Sequence, residues 1–154
     1  MSVYDAVLVL GFGGPESVEE VVPFLQRVTA GRGIPEERLL EVGQHYITLG
    51  GVSPINAQNR ALTTALAQAL TARSIDLPVV LGNRNAAPFV ADVLAGLATE
   101  GYRNVLTVPT SAYSSYSGCR QYREDLWEAL PGDGSLRARK LPPFGHLAGF
   151  VAPI

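Results

Sequence analysis

Three short apolar runs, at residues 6–10 (AVLVL), 77–81 (LPVVL) and 105–108 (VLTV), each empty into a glycine-rich or polar loop. Each loop is followed by a segment with helical periodicity. Runs of this length and branching read as buried parallel strands, because a strand covered on both faces does not need alternating polar residues. Strand and helix alternate three times, which predicts an α/β fold: a parallel sheet with helices on both faces in three layers, of Rossmann-like or flavodoxin-like kind.

The helices are announced by their own signals. After Gly11-Phe12-Gly13-Gly14-Pro15, Ser17 and Glu20 have capping-box spacing ahead of Val21, Val22, Leu25 and Val28, and Pro23 predicts a kink or an early end. Pro35 opens a second helix that carries Leu39, Leu40, Val42 and Tyr46 and stops at Gly50-Gly51. A long helix follows Ser53-Pro54, and its Leu62, Leu66 and Leu70 are predicted to face the core. Two further helices run from Phe89 to the stop at Gly101, and through Tyr122, Leu126, Trp127 and Leu130.

Composition narrows the function classes. A chain of 154 residues with 47% hydrophobic and 17% charged content fits one folded domain and excludes a disordered tail. No apolar run approaches the roughly 20 residues that span a bilayer, and residues 3–10 lack the basic start and cleavage site of an export signal. A net charge of -2 gives no electrostatic footprint for nucleic acid. The expected location is the cytoplasm. The apolar ending Phe150-Val151-Ala152-Pro153-Ile154 is expected to continue into a further element, as part of a larger polypeptide.

Residues 102–125 carry the clearest site signal, for the third strand delivers Thr110, Ser111, Tyr113, Ser114, Ser115, Tyr116 and Ser117 at its carboxyl end. Ligands of open α/β sheets bind at that edge, although serines there also serve simply as turn and cap residues. The glycines after the first strand do not complete a dinucleotide fingerprint, because Glu16 stands where the third glycine belongs and would oppose a pyrophosphate. His45 and His146 have no partners at metal-ligand spacing, with His45 a weak candidate for the wall of the crevice. Glu124 and Asp125 read as a solvated helix face. Cys119 is the single cysteine and so supplies one thiolate at most. Loops around Phe12, Asn83 and Ser114 are predicted to meet in a cleft of glycines, rings, amides and hydroxyls, which suits a planar, partly polar ligand.

The segments GFGGPES from Gly11, VTAGRGIP from Val28, HYITLGGVSPIN from His45, LGNRN from Leu81, TSAYSSYSGCRQYRED from Thr110 and KLPPFGHLAGFVAP from Lys140 resemble the amino-terminal half of ferrochelatase, in the actinobacterial form that acts on coproporphyrin III. The resemblance implies that residues 1–154 are the first α/β domain of a two-domain chelatase of haem synthesis, cut before the second domain. Such an enzyme inserts ferrous iron, its substrate, into a distorted porphyrin while a basic group takes the pyrrole protons. The family's metal-binding histidine and glutamate fall after the end of this chain, which therefore holds no catalytic residue. Substrate contacts are implied at Ser53 and Tyr122, with Tyr46 and Phe12 lining the cavity. Some relatives place an iron-ligating tyrosine where this chain has Phe12, and phenylalanine cannot ligate. Cys119 is implied as a candidate ligand of a [2Fe–2S] cluster in the full-length protein. The expected partner is a porphyrin substrate, with no nucleic acid and no transmembrane segment, and no oligomeric state is implied. Two alternatives stand beside this reading: a non-catalytic tetrapyrrole-binding module complete at this length, and a small chelatase that pairs two copies.

Overall fold

The computed structural model describes residues 3–153, apart from the side chains of residues 117–119. Its elements are β1 (Ala6–Gly11), α1 (Val18–Thr29), α2 (Glu36–Thr48), α3 (Ile55–Thr71), β2 (Val79–Asn83), α4 (Val90–Thr99), β3 (Asn104–Pro109), a π-helical turn (Tyr116–Gln121), α5 (Tyr122–Ala129), β4 (Arg137–Lys140) and α6 (Ala148–Val151). The four strands form one sheet in the order β2-β1-β3-β4, and every pairing is parallel. Val9 lies opposite Leu81 on one side and Val108 on the other, so β1 is interior and buried along its whole length. That position explains why AVLVL has no polar alternation.

Side-chain alternation divides β1 between two layers. Ala6, Leu8 and Leu10 pack with Val90, Leu94 and Leu97 of α4, Val105 of β3, and Tyr122 and Leu126 of α5. On the opposite face Asn59 of α3 lies against Gly11, so the sheet has helices on both sides, as expected from the sequence. A second cluster, Val21, Phe24, Leu25 and Leu39 with Phe12 and Tyr46 against it, joins the α1–α2 hairpin to the loop after β1.

Several local expectations are corrected. The second strand begins at Val79 and not Leu77, because Pro78 has no N–H for the ladder; its carbonyl accepts from Val7 N at 2.8 Å. β4 has the sequence RARK, a short charged edge strand without an apolar run to announce it. Helix α1 passes through Pro23, and Ser17 makes no side-chain cap; Glu20 instead accepts from Glu16 N at 2.9 Å. The leucine row on α3 is not core, since Leu62 is 46% exposed and the buried α3 residues are Asn56 and Asn59. The face of α3 turned to the sheet is led by Asn56 and Asn59, three apart, and Leu66 and Leu70 are only half-buried.

Asn56 has a defined task. Its Nδ2 donates to the Gly14 carbonyl at 2.8 Å and its Oδ1 accepts from Gly14 N at 3.1 Å, in a fully buried setting. One amide thereby satisfies both backbone groups of a loop residue with no strand or helix partner. Asn56→Ala should lower stability by about 2 kcal/mol or more, because it leaves two buried groups without partners. Urea unfolding reads this as a lower midpoint at unchanged slope; an unmoved midpoint would show that the Gly14 loop does not depend on Asn56.

Candidate functional site

The loops after β1 and β2 are laced together by main-chain hydrogen bonds. Arg84 N donates to the Gly11 carbonyl at 3.1 Å, and Asn85 N and Nδ2 both donate to the Phe12 carbonyl, at 3.0 and 3.1 Å. The third loop joins through Thr110 N, which donates to the Leu10 carbonyl at 3.0 Å. Glycines permit the close approach. A Cβ on Gly13 (φ +80°) would lie 2.9 Å from Ala86 and 3.0 Å from Asn83, and one on Gly14 would lie 2.6 Å from Ser53. These glycines therefore seat one loop on another, which also accounts for them without a phosphate ligand.

Beside these loops is a cleft of about 420 Å³, bordered by Phe12, Arg27, Arg32, Arg84, Asn85, Ser111, Gln121, Tyr122 and Asp125. Arg84 is the centre of this wall. Its side chain is only 8% exposed, it forms an ion pair with Asp125, and its guanidinium carbon lies 5.4 Å from the Phe12 ring centre and 4.7 Å from that of Tyr122. The Arg84 Nε–Asp125 Oδ2 contact is close but poorly directed, so neither atom has a well-formed hydrogen bond. Arg27 reaches in from α1, donating from Nε to the Asn85 carbonyl at 2.9 Å with its guanidinium carbon 5.5 Å from the Phe89 ring centre. Among the described residues no carboxylate pairs with Arg27 or Arg32. The cleft thus combines ring walls, amide and hydroxyl groups and uncompensated positive charge, which suits an aromatic or conjugated ligand bearing carboxylates.

A larger hollow of about 600 Å³ lies between α5 and β4. Its wall holds Trp127, Leu126, Leu130, Leu141 and two prolines together with Arg123, Arg139 and Lys140, and neither the β1 loop nor the β2 loop reaches it. Convergent polar groups at the carboxyl edge of the sheet favour the smaller cleft as the binding site.

The residues singled out from sequence fall at different depths. Phe12 and Tyr122 line the cleft, and Tyr122 is also core. Tyr46 stands two rings behind it, edge-on to Phe24 at 6.2 Å, while Phe24 is edge-on to Phe12 at 6.1 Å. Ser53 sits across the glycine turn, where its N–H donates to the Pro15 carbonyl at 2.8 Å and its Oγ accepts from Ile55 N at 3.4 Å. Of the hydroxyl loop, Ser111 borders the cleft, whereas Tyr113 and Tyr116 are exposed. His45 and His146 are exposed and border no part of the cleft. The Cys119 side chain lies outside the described residues.

Asp125 is not the solvated carboxylate that the sequence pattern implied. It is half-buried against Arg84, and Arg84, Asn85 and Arg27 line the candidate cleft although sequence reasoning did not single them out. One signal was available: Tyr122 and Asp125 are three apart on a helix and so share a face. Glu16, just after the glycine turn, is held below the usual carboxylate range by hydrogen bonding to the Arg60 guanidinium. Among the described residues no three His, Cys, Asp or Glu side chains gather as a metal site. The chain's single cysteine cannot by itself satisfy a [2Fe–2S] cluster, which takes four ligands. No helix among the described residues is long and apolar enough to cross a membrane.

Comparison with known proteins agrees with this architecture. The ferrochelatase family model matches residues 4–154. Curated relatives named coproporphyrin III ferrochelatase include that of Streptomyces griseus, 57% identical over 98% of this chain and 42% of the relative. That of Streptomyces coelicolor is 54% identical over 99% of this chain and 42% of its own length, and that of Leifsonia xyli 54% over 97% and 39%. The chain therefore spans about 40% of the length of these relatives.

Gly13 gives the geometry a direct test. Gly13→Ala forces a side chain into the left-handed region, at about 1–2 kcal/mol, and crowds Ala86 and Asn83 as well. Chemical denaturation should show a loss of at least about 2 kcal/mol; a loss below about 0.5 kcal/mol would mean that the two loops are not seated as described.

Proposed function

Because this chain belongs to the ferrochelatase family, we propose that it is the amino-terminal, porphyrin-holding domain of a longer enzyme that inserts ferrous iron into coproporphyrin III for haem synthesis. The observation that carries this reading is the cleft itself, with the Phe12 and Tyr122 rings beside two arginines, Arg27 and Arg32, that have no carboxylate partner among the described residues. A porphyrin presents a flat conjugated face and carboxylate arms. The rings offer stacking area, and guanidinium groups grip carboxylates by charge-assisted, often paired hydrogen bonds.

In this reading the domain binds and orients, and the chemistry is completed elsewhere. Phe12 and Tyr122 touch the macrocycle, and Ser111 and Gln121 supply hydrogen bonds along its edge. Tyr46 and Ser53 would meet a macrocycle that extends past Phe12, across Phe24 and the glycine turn respectively. Residues beyond this chain would hold the ferrous iron and accept the pyrrole protons. With phenylalanine at position 12, no axial ligand to the product iron comes from that side chain. A [2Fe–2S] cluster would draw most of its thiolates from outside this chain, with Cys119 as one candidate, and no step proposed here depends on it. The proposed location is the cytoplasm.

Fluorescence titration with coproporphyrin III tests the reading. Arg27→Gln and Arg32→Gln should each weaken binding about tenfold or more, as expected for a lost charge-assisted hydrogen bond, and Ser111→Ala by about 0.5–1.5 kcal/mol. Unchanged affinity in both arginine variants would remove the cleft as the porphyrin site. Metal insertion above the uncatalysed rate by this chain alone would show that the chemistry does not need a second domain.

A further inference from the structure

Arg84 poses a question that porphyrin binding alone does not answer. Its side chain is 8% exposed, and a charge so placed is costly unless it is paired. Its partner is Asp125 on α5, itself 29% exposed, and Tyr122 lies one turn earlier on the same helix face. The ring of Tyr122 and the carboxylate of Asp125 therefore reach Arg84 together. The main chain is fixed as well, since Arg84 N donates to the carbonyl of Gly11, the residue before Phe12. Both rings lie within cation–π range of the guanidinium, at 4.7 and 5.4 Å.

We propose that Asp125 is a positioning residue: by pairing with Arg84 it fixes that guanidinium against the Phe12 and Tyr122 rings and neutralises its charge. The two rings come from different loops, one after β1 and one at the start of α5, and Arg84 is the group that touches both. Rings held in advance keep more of their stacking energy on binding, because less ordering is left to be done. Carboxylates of the ligand are then met by Arg27 and Arg32, for Arg84 can engage one fully only by giving up Asp125. Asp125 thereby acts on binding through Arg84.

The affinity part of this inference rests on the porphyrin reading, while the ring-holding part does not, and the experiment reads the two separately. In ligand-free protein, the aromatic NMR signals of Phe12 and Tyr122 should shift and broaden in Asp125→Asn and in Arg84→Met, and should stay near wild type in Asp125→Glu, which keeps the charge. Titration with coproporphyrin III should show Asp125→Asn and Arg84→Met each weakening binding about tenfold, with the double variant no weaker than about tenfold because both break the same clamp. Arg27→Gln combined with Asp125→Asn should instead be multiplicative. If Asp125→Asn fails to fold, the Arg84→Met/Asp125→Leu pair, which leaves no unpaired charge, takes its place in both readouts and should show the loosened rings.

Additive losses from Arg84 and Asp125, of about a hundredfold together, would overturn the inference by showing that each meets the ligand separately. Unshifted ring signals in all the neutralised variants would overturn it too. Wild-type protein that binds no porphyrin would contradict the proposed function alone, and the ring signals would then decide the role of Asp125.

Discussion

The Phe12 carbonyl accepts two hydrogen bonds from Asn85, and the Gly14 peptide groups are both satisfied by the Asn56 amide. These contacts hold a loop that has neither strand nor helix to pair with, and the cleft depends on them. A buried loop backbone must find partners somewhere. Here it finds them in two asparagines, one on the loop after β2 and one at the start of α3. The Phe12 ring is consequently set at the carboxyl edge of the sheet by groups on both sides of the β1 strand.

Packing then carries this fixed loop toward the α1–α2 hairpin on one side and α5 on the other. Phe12 rests edge-on against Phe24, and Phe24 against Tyr46, so a row of rings ties the hairpin to the cleft. On the α5 side the tie is polar, through Arg84 and Asp125, in surroundings that would make either charge alone destabilising. A site built this way has its walls in place before a ligand arrives. Its uncompensated cations, Arg27 and Arg32, stand farther out on α1 and the turn beyond it.

The fold was legible where burial on both faces suppresses polar residues. AVLVL is β1, buried along its whole length, and VLTV lies in β3, buried on one face and half-buried on the other. RARK was not legible, because an edge strand needs no apolar pattern, and the leucine row of α3 misled because the buried contacts of that helix are made by Asn56 and Asn59 instead. At the site, the glycine loop and the hydroxyl segment pointed to the sheet edge beside which the candidate cleft lies. What they hid was polarity contributed by distant segments: Arg84 and Asp125 look like ordinary surface residues in the sequence, and only the register of β2 against β1 and the placement of α5 bring them together. Tyr46 and Ser53 came forward through family motifs alone, and they lie behind the cleft lining, at positions where packing is as visible as any contact with a ligand.

In the proposed function the porphyrin lies between the β1 and β2 loops and the start of α5, and not in the larger hollow beneath Trp127. Backbone amide NMR of the protein titrated with coproporphyrin III separates the two directly. The expected result is that the largest shifts fall on Phe12, Gly13, Arg27, Arg84, Asn85, Ser111 and Tyr122. Shifts concentrated instead on Trp127, Leu130, Ala138 and Leu141, with the Phe12 and Arg84 amides unmoved, would contradict it.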